Sequence, residues 1–433
     1  MAAGAYRYSL IESCFMSHIH AAREGQQESA GAGDYRASYA SMATLMRQLM
    51  NGRRFEQMFD FSAFDQRDPY ALMRLSMLFD IGGNRTMAAE LQAKALQLRQ
   101  LYHLAAPRAP AALRLLAILK RGYMRDNMPF DFLLEDSDVA CDLLYVAPDL
   151  PLPETLPEHD VLLVAIGQVE QERALFDWIA PILAQSTRPV LNRPGPVCTF
   201  GRDRISALLQ SIPGLQVPPT CRLEREALQR LACGDVALPA CAWPRADVQA
   251  SWPLIVRPVA SHAGEGLARI EQAGDLAAYL ERQPEQAFYL TPFIDYRSAD
   301  GLYRKCRLVL MRGRPAMVCH LAISEHWMVH YQSAGMSASA DKRAEEARFM
   351  AGFDGDFFAR HGAALSQIGA RMDMDYLVLD CGETPAGDLL FFEADNISLI
   401  HMLDNAELFP YKQHQMRKVF QVFRDLLEET RAS

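Results

Sequence analysis

Residues 389–400 read Leu389-Leu390-Phe391-Phe392-Glu393-Ala394-Asp395-Asn396-Ile397-Ser398-Leu399-Ile400. An unbroken apolar run ends in Glu393, Asp395 and Asn396, and apolar residues then resume. A short apolar run of this kind predicts a strand buried on both faces. Carboxylates at its end are costly unless paired, hydrated or bound to a cation. Glu393 and Asp395 stand two residues apart, so on a continuing strand they share a face. Two oxygen donors on one face of a cleft can hold Mg²⁺. A solvated strand end would carry the same residues, so the rest of the chain has to decide.

The chain has 433 residues, 50% hydrophobic and 22% charged, an ordinary soluble composition with room for two or three domains. A net charge of −9 argues against general nucleic-acid binding. The nine cysteines contain no CxxC pair, which suits a reducing compartment. The first ten residues hold no apolar core of signal-peptide length, and no run of about 18 apolar residues occurs. A cytoplasmic protein is expected, with neither membrane nor nucleic acid as partner.

Upstream of the opening stretch, residues 303–311 form a predicted strand, Arg312-Gly313-Arg314-Pro315 a hairpin turn, and residues 316–321, with His320, the return. Strand alternation puts Lys305 and Arg307 on one face. Further back, residues 252–258 read as a strand carrying Arg257 at its end, followed by Ser261-His262-Ala263-Gly264-Glu265-Gly266-Leu267 and a return strand at 267–270. Gly264 and Gly266 permit backbone approach that side chains would block. Ser261, His262 and backbone N–H groups in such a loop can cradle phosphate oxygens, and Arg257 supplies permanent charge. The Gly-Lys-Ser/Thr of a P-loop is absent, and an ordinary β-hairpin can also carry two glycines. Residues 287–295 read as a strand passing into a linker. Residues 324–333 pack His326, Trp327, His330 and Tyr331 together, as loops lining sites do. His326 and His330 have the spacing of zinc ligands on a helix, but no Glu stands between them in zincin order and no third ligand is apparent. One bound polyanion with its metal accounts for the glycine loop, the cationic strand and the carboxylates together.

The middle of the chain alternates strands at 141–146, 161–167 and 189–192 with a helix at 170–180, whose end Pro181 should disrupt. This is a parallel βαβ pattern, and a helix at 202–209 continues it into a doubly wound layer. Gly167 and Asn192 fall at strand C-termini, near a possible cleft. No Gly-x-Gly-x-x-Gly follows these strands, so a dinucleotide site is not supported. Residues 21–36 read as a flexible lead-in. From 39 to 103 the pattern is helical, with faces at Met42, Leu45, Met46 and Leu49, then Tyr70 to Phe79, then Met87 to Leu101, broken at Asn51-Gly52 and Gly82-Gly83-Asn84. These helix–break–helix units resemble tetratricopeptide repeats, or equally a bundle capping the next domain. Either form is expected to contact a protein partner.

In order and spacing these features resemble the ATP-grasp superfamily. The residues are Ile255-Val256-Arg257-Pro258, the loop at 261–266, the linker at 289–295, Arg307 in its strand, Asp380 closing Tyr376-Leu377-Val378-Leu379-Asp380, and Phe392-Glu393-Ala394-Asp395. The resemblance covers residues 141–428. It implies ATP and Mg²⁺ as cofactors, with Asp380, Glu393 and Asp395 or Asn396 holding the metal. It places Arg307 at the γ-phosphate, and Ser261, His262, Ala263, Gly264 and Gly266 with Arg257 over the phosphates. Tyr289, Leu290, Phe293 and Ile294 would pass the adenine, and Asp295 would reach the ribose. Arg257 and Arg204 stand where the family usually has Lys, and Asp395 stands where it usually has Asn. Substrate contacts are expected from Lys305, His320, Ser324, His326 and His330.

The fold class expected is α/β: an ATP-grasp unit preceded by a doubly wound parallel layer, with an all-α N-terminal region. The domain reading is a lead-in at 1–36, helices at 37–108, a pre-ATP-grasp domain at 109–220, and ATP-grasp subdomains at 221–298 and 299–433. The activity implied is ADP-forming ligation of a small-molecule carboxylate to an amine, or less often a thiol, through an acyl phosphate. A small-molecule kinase of the same architecture, or a scaffold with a degenerate nucleotide site, are the other readings.

Overall fold

The computed structural model describes residues 39–195, 200–235, 252–259, 261 and 264–433. The lead-in at 1–36, and His262 and Ala263 of the glycine loop, lie outside the described residues. The chain forms two units, one of residues 1–168, 172–194 and 396–433, the other of 169–171 and 195–395.

The first unit begins with helices α1 (Met42–Met50), α2 (Phe55–Met58), α3 (Pro69–Gly82) and α4 (Arg85–Leu98). Asp68 caps α3 by accepting the Tyr70 N–H, with Pro69 at the first helical position. Gly83 ends α3 at φ 86°, and Asn84 at once caps α4 by accepting the Met87 N–H. The Gly82-Gly83-Asn84 break is therefore a stop and a start in tandem. The repeat reading is corrected here. Among the described residues α3 and α4 make a single hairpin, and the chain then enters strand β1 (Leu101–Leu104), taking Leu101 off the helical face. Helix α1 is tied elsewhere, by the Ala43 N–H donating to Asp131 and an Arg47–Glu135 ion pair.

Strands β2 (Leu113–Lys120), β3 (Val139–Val146), β4 (Val161–Val164) and β5 (Val190–Leu191) form the sheet, in the order β1-β3-β2-β4-β5. All pair in parallel except β1, an antiparallel edge. All four residues of β4 are buried, as a parallel sheet covered on both faces requires. Between these strands lie α5 (Phe130–Leu133) and α6 (Arg173–Gln185). Helix α6 runs through Pro181 instead of stopping there. Proline removes one backbone hydrogen bond, and burial of Leu175, Phe176, Ile179, Ile182 and Leu183 outweighs that loss.

The second unit contains α7 (Arg202–Leu209), β6 (Leu215–Gln216), β7 (Cys221–Glu224), α8 (Arg225–Ala232), β8 (Leu254–Pro258), β9 (Ala268–Ile270), α9 (Ala273–Arg282) and β10 (Ala287–Pro292). Strands β11 (Tyr303–Met311) and β12 (Met317–Ser324), helices α10 (Ala340–Gly352) and α11 (Phe357–Met372), and strands β13 (Tyr376–Glu383) and β14 (Leu389–Asp395) follow. One sheet is antiparallel in the order β7-β10-β8-β9, with Leu228 and Leu231 of α8 and Leu276, Tyr279 and Leu280 of α9 in its core. The glycine loop joins β8 to β9. The other sheet has the order β12-β11-β13-β14-β6, antiparallel except for the β14–β6 pair. The last helix, α12 (Pro410–Ala432), belongs to the first unit. The class is thus α/β with three sheets and helices at the N-terminal side. No helix among the described residues is long and apolar enough to cross a membrane.

Candidate active site

Two β-bulges decide what faces what in the β11–β14 sheet. On β14, Phe391 pairs with Cys381 but Glu393 pairs with Asp380, leaving Phe392 as the extra residue. On β12, His320 pairs with Arg307 but Val318 pairs with Leu308, leaving Cys319 as the extra residue. Arg307 stands opposite Asp380 across β11 and β13. His320, Arg307, Asp380 and Glu393 therefore form one row across four strands, and Lys305 shares the face of Arg307.

The row is electrostatically dense. The Asp380 side chain is 1% exposed. Arg307 donates from Nε to Oδ1 at 2.8 Å and from Nη2 to Oδ2 at 3.0 Å, while Lys305 Nζ donates to Oδ2 at 2.9 Å. Burial pushes the Asp380 carboxyl up, but Arg307 and then Lys305 outweigh it and hold it well below the usual carboxylate range. Glu393 accepts from Arg202 Nη2 at 2.7 Å. Burial and the like charge of Asp380 raise its carboxyl, but Arg202 and Lys305 together outweigh them and hold it below the usual carboxylate range.

Arg257 is held differently. It donates from Nε to Ser261 Oγ at 3.2 Å and from Nη2 to the Ser261 carbonyl at 2.7 Å, both neutral oxygens. Burial, and next the like charge of Arg202, lower its guanidinium to about 10. Two close guanidinium groups, one of them bonded to neutral acceptors, favour a polyanion.

The glycine loop meets the same region through His330. Gly264 has φ +78°, and a Cβ there would lie 2.7 Å from His330 Nε2. Gly266 has φ +65°, and a Cβ there would lie 2.6 Å from Pro258 Cδ. Burial and then Lys305 lower the His330 pKa, which favours its neutral imidazole. Gly264→Ala is expected to cost about 1–2 kcal/mol from the left-handed backbone alone and to weaken Mg–ATP binding about tenfold or more by displacing His330. Gly301, at φ +84° with nothing within 4 Å of a built Cβ, provides the control. Gly301→Ala should lose similar stability in urea denaturation but keep the calorimetric affinity. Equal affinities in the two variants would refute a nucleotide-facing loop.

The other expected residues are dispersed. Arg204 lies over the Phe200 ring at 3.9 Å, and its neighbour Arg202 meets Glu393 instead. Leu290 is fully buried in the β7–β10 core, so its side chain offers nothing to a ligand. Tyr289 has its hydroxyl near Gly201, where a Cβ would stand 2.6 Å from it. The Phe293 ring lies between Arg269, at 4.1 Å, and Trp327, at 5.8 Å, and Ile294 follows it half-buried. Asp295 is exposed and paired with Arg297 at 2.7 Å. Ser324 Oγ accepts the His326 N–H at 3.0 Å, closing a turn that leaves His326 exposed. Residues 325–330 are not helical, so the zinc spacing of His326 and His330 is not realised.

Asn396 also lies elsewhere. It is fully buried, its Oδ1 accepts the Gln168 N–H at 2.9 Å, and its Nδ2 donates to the Ile166 carbonyl at 3.0 Å. Both ends of the amide are thus engaged within the first unit. Asp395 shares β14 with Glu393, stands opposite Val378, and its charge acts on Arg307. Among the described residues no group of three or more His, Cys, Asp or Glu is disposed to hold a metal ion. Asp380 and Glu393 do stand face to face. Mg²⁺ at nucleotide sites is ordinarily held by one or two carboxylates with phosphate oxygens and water, and this pair fits that arrangement.

Sequence reasoning missed two residues. Arg202 was visible only as part of Arg202-Asp203-Arg204, where either arginine could have been chosen. Glu346 is a fully buried carboxylate on α10 that accepts the Leu321 N–H at 3.0 Å and the Tyr331 hydroxyl at 2.9 Å. Tyr331 in turn packs on His320 with ring centroids 4.5 Å apart. Nothing in the exposed-looking Ala-Glu-Glu-Ala pattern at 344–347 marks that residue.

No family model matches the chain. No curated protein matches it either. Solved structures do. A RimK domain ATP-grasp protein from Sphaerobacter thermophilus DSM 20745 is similar at 16% identity and TM-score 0.39, covering 71% of this chain and 98% of that one. The VanG D-Ala:D-Ser ligase from Enterococcus faecalis is similar at 13% identity and TM-score 0.44, over 73% and 99%. The D-cycloserine synthetase DcsG is similar at 14% identity and TM-score 0.40, over 72% and 99%. At these scores we rest the functional reading on the charged row itself.

Proposed function

We propose that the chain is an ATP- and Mg²⁺-dependent, ADP-forming ligase that activates a small-molecule carboxylate as an acyl phosphate and joins it to an amine or, less often, a thiol. The observation that carries the reading is the row His320–Arg307–Asp380–Glu393, flanked by Arg202, Arg257 and the glycine loop. Mg²⁺, held by Asp380 and Glu393, would supply charge neutralisation on the phosphates. Arg257 and Arg202 bind phosphate oxygens, and Arg307, fixed by Asp380, orients the group being transferred. A substrate carboxylate oxygen attacks the γ-phosphorus while the bond to the bridging oxygen breaks, releasing ADP. The amine nitrogen then attacks the acyl carbon, phosphate departs, and the nitrogen loses a proton. Neutral His330 is available to accept that proton. No covalent protein nucleophile is needed.

The test is calorimetry with Mg–ATP, followed by ADP release and hydroxylamine trapping over a panel of carboxylates. A trapped hydroxamate formed together with ADP is the expected result. Absence of binding at millimolar ATP refutes the reading, and a stable phosphorylated product that hydroxylamine does not trap would mark a kinase.

A further inference from the structure

The first unit holds a partly open cavity that the proposed reaction does not use. Its volume is about 340 Å³, and it lies between the α3–α4 hairpin, residues 121–131 and strands β2 and β3. Leu119 and Tyr145, the last residue but one of each strand, reach its wall. Small molecules occupy cavities of this size, and open α/β sheets bind ligands at the carboxyl ends of their strands.

The wall has two chemical parts. One is aromatic and thioether, including Phe130, Met77, Met124 and Tyr123, whose ring already has Arg85 over it at 5.6 Å. Ring faces attract cations, and thioethers adapt to ligand shape. The other is anionic, with Asp80 and Asp131. Asp80 accepts the Met124 N–H and Asp131 the Ala43 N–H, each at 2.9 Å, and backbone N–H groups at 131 and 132 also act on Asp131. Among the described residues neither has a Lys, Arg or His within ion-pair distance. The guanidinium in the wall, Arg121, is paired with Asp149 at 2.7 Å. Burial raises both carboxyls, that of Asp131 to about 6, while the more distant charges of Arg85 and Arg125 only partly offset it at Asp80.

A separate observation concerns two hydroxyls. Tyr39 and Tyr145 both line the cavity, are 9% and 5% exposed, and hydrogen-bond each other at 3.0 Å. Two hydroxyls bring two protons to one mutual bond. One buried O–H therefore has no acceptor among the described residues, and a ligand oxygen would satisfy it.

We propose that this cavity binds an organic ammonium ion, an amine on a compact aromatic body that also carries an oxygen acceptor. The ammonium meets Asp80 and Asp131, the body packs on the aromatic and methionine wall, and the oxygen takes the spare tyrosine proton. Carboxylate ligands are excluded by like charge. The proposal stands apart from the nucleotide reading.

Calorimetry on the full chain with tyramine, and with tyrosol, in which a hydroxyl replaces the ammonium, tests it. Tyramine should bind about tenfold tighter or more. Asp80→Asn and Asp131→Asn each keep an acceptor for the backbone N–H, and each should lower tyramine affinity by about tenfold without changing tyrosol affinity. Equal affinity for tyramine and tyrosol, no binding of tyramine at millimolar concentration, or unchanged affinity in both variants overturns the proposal. Hydrogen exchange on the wild-type chain needs no variant. Tyramine should slow exchange across residues 121–131, and protection confined to other regions overturns the assignment.

Discussion

Asp380→Asn is expected to lower folding stability by about 3–5 kcal/mol, the usual result of removing one partner from a buried ion pair. Asparagine keeps the shape of the side chain but removes the charge that both Arg307 and Lys305, whose side chains are 18% and 14% exposed, donate to. The measurement is the urea midpoint at neutral pH, with the slope checked for constancy. The pH dependence follows from the direction of the shift. The folded Asp380 carboxyl is held below its unfolded value, so its stabilisation is complete above about pH 4–5 and is lost as pH falls through the folded value. The gap between wild type and variant should therefore close under strong acid. A loss below about 1 kcal/mol at pH 7 would show that the pair contributes nothing net.

Glu393→Gln is expected to reduce ADP formation by about a thousandfold while leaving the fold intact. The Glu393 side chain is 29% exposed, and a glutamine oxygen can still accept from Arg202. What it loses is the charge that faces a metal. Binding of metal-free ATP should survive, while the gain in affinity on adding Mg²⁺ should shrink. Undiminished turnover would show that the metal assignment is wrong. The two variants weigh differently: Asp380, anchored by three hydrogen bonds, bears on stability as well as on the metal, whereas Glu393, held by one bond to Arg202, bears chiefly on the ligand.

Much of the second unit was legible beforehand. Apolar runs bounded by Gly, Pro and charged residues located β8, β10, β11 and β14, because burial on a pleated sheet leaves that mark on composition. Alternation correctly put Lys305 and Arg307 on one face, and both reach Asp380. Two other placements have a different cause. Arg202 and Arg204 are two positions apart on a helix, hence about 200° apart around its axis, so one of them alone can face a given strand. The phase of α7, set by where it starts after Gly201, makes that choice. Asn396 lies one residue beyond β14, and the change of direction there sends its amide to Ile166 and Gln168.

Residues 389–400 mark the division. Their order alone was enough to predict a buried strand ending in carboxylates, since hydrophobic burial and the cost of buried charge are written in residue type. It was not enough to say what the carboxylates would face. An unbroken ladder would have put Phe392 opposite Asp380, whereas the bulge at Phe392 advances the register by one and brings Glu393 there. A bulge has no sequence signature of its own here. The ring of the extra residue, Phe392, packs on Tyr296, distant in sequence, with centroids 5.0 Å apart. The pairing of Asp380 with Glu393 is thus a product of tertiary packing.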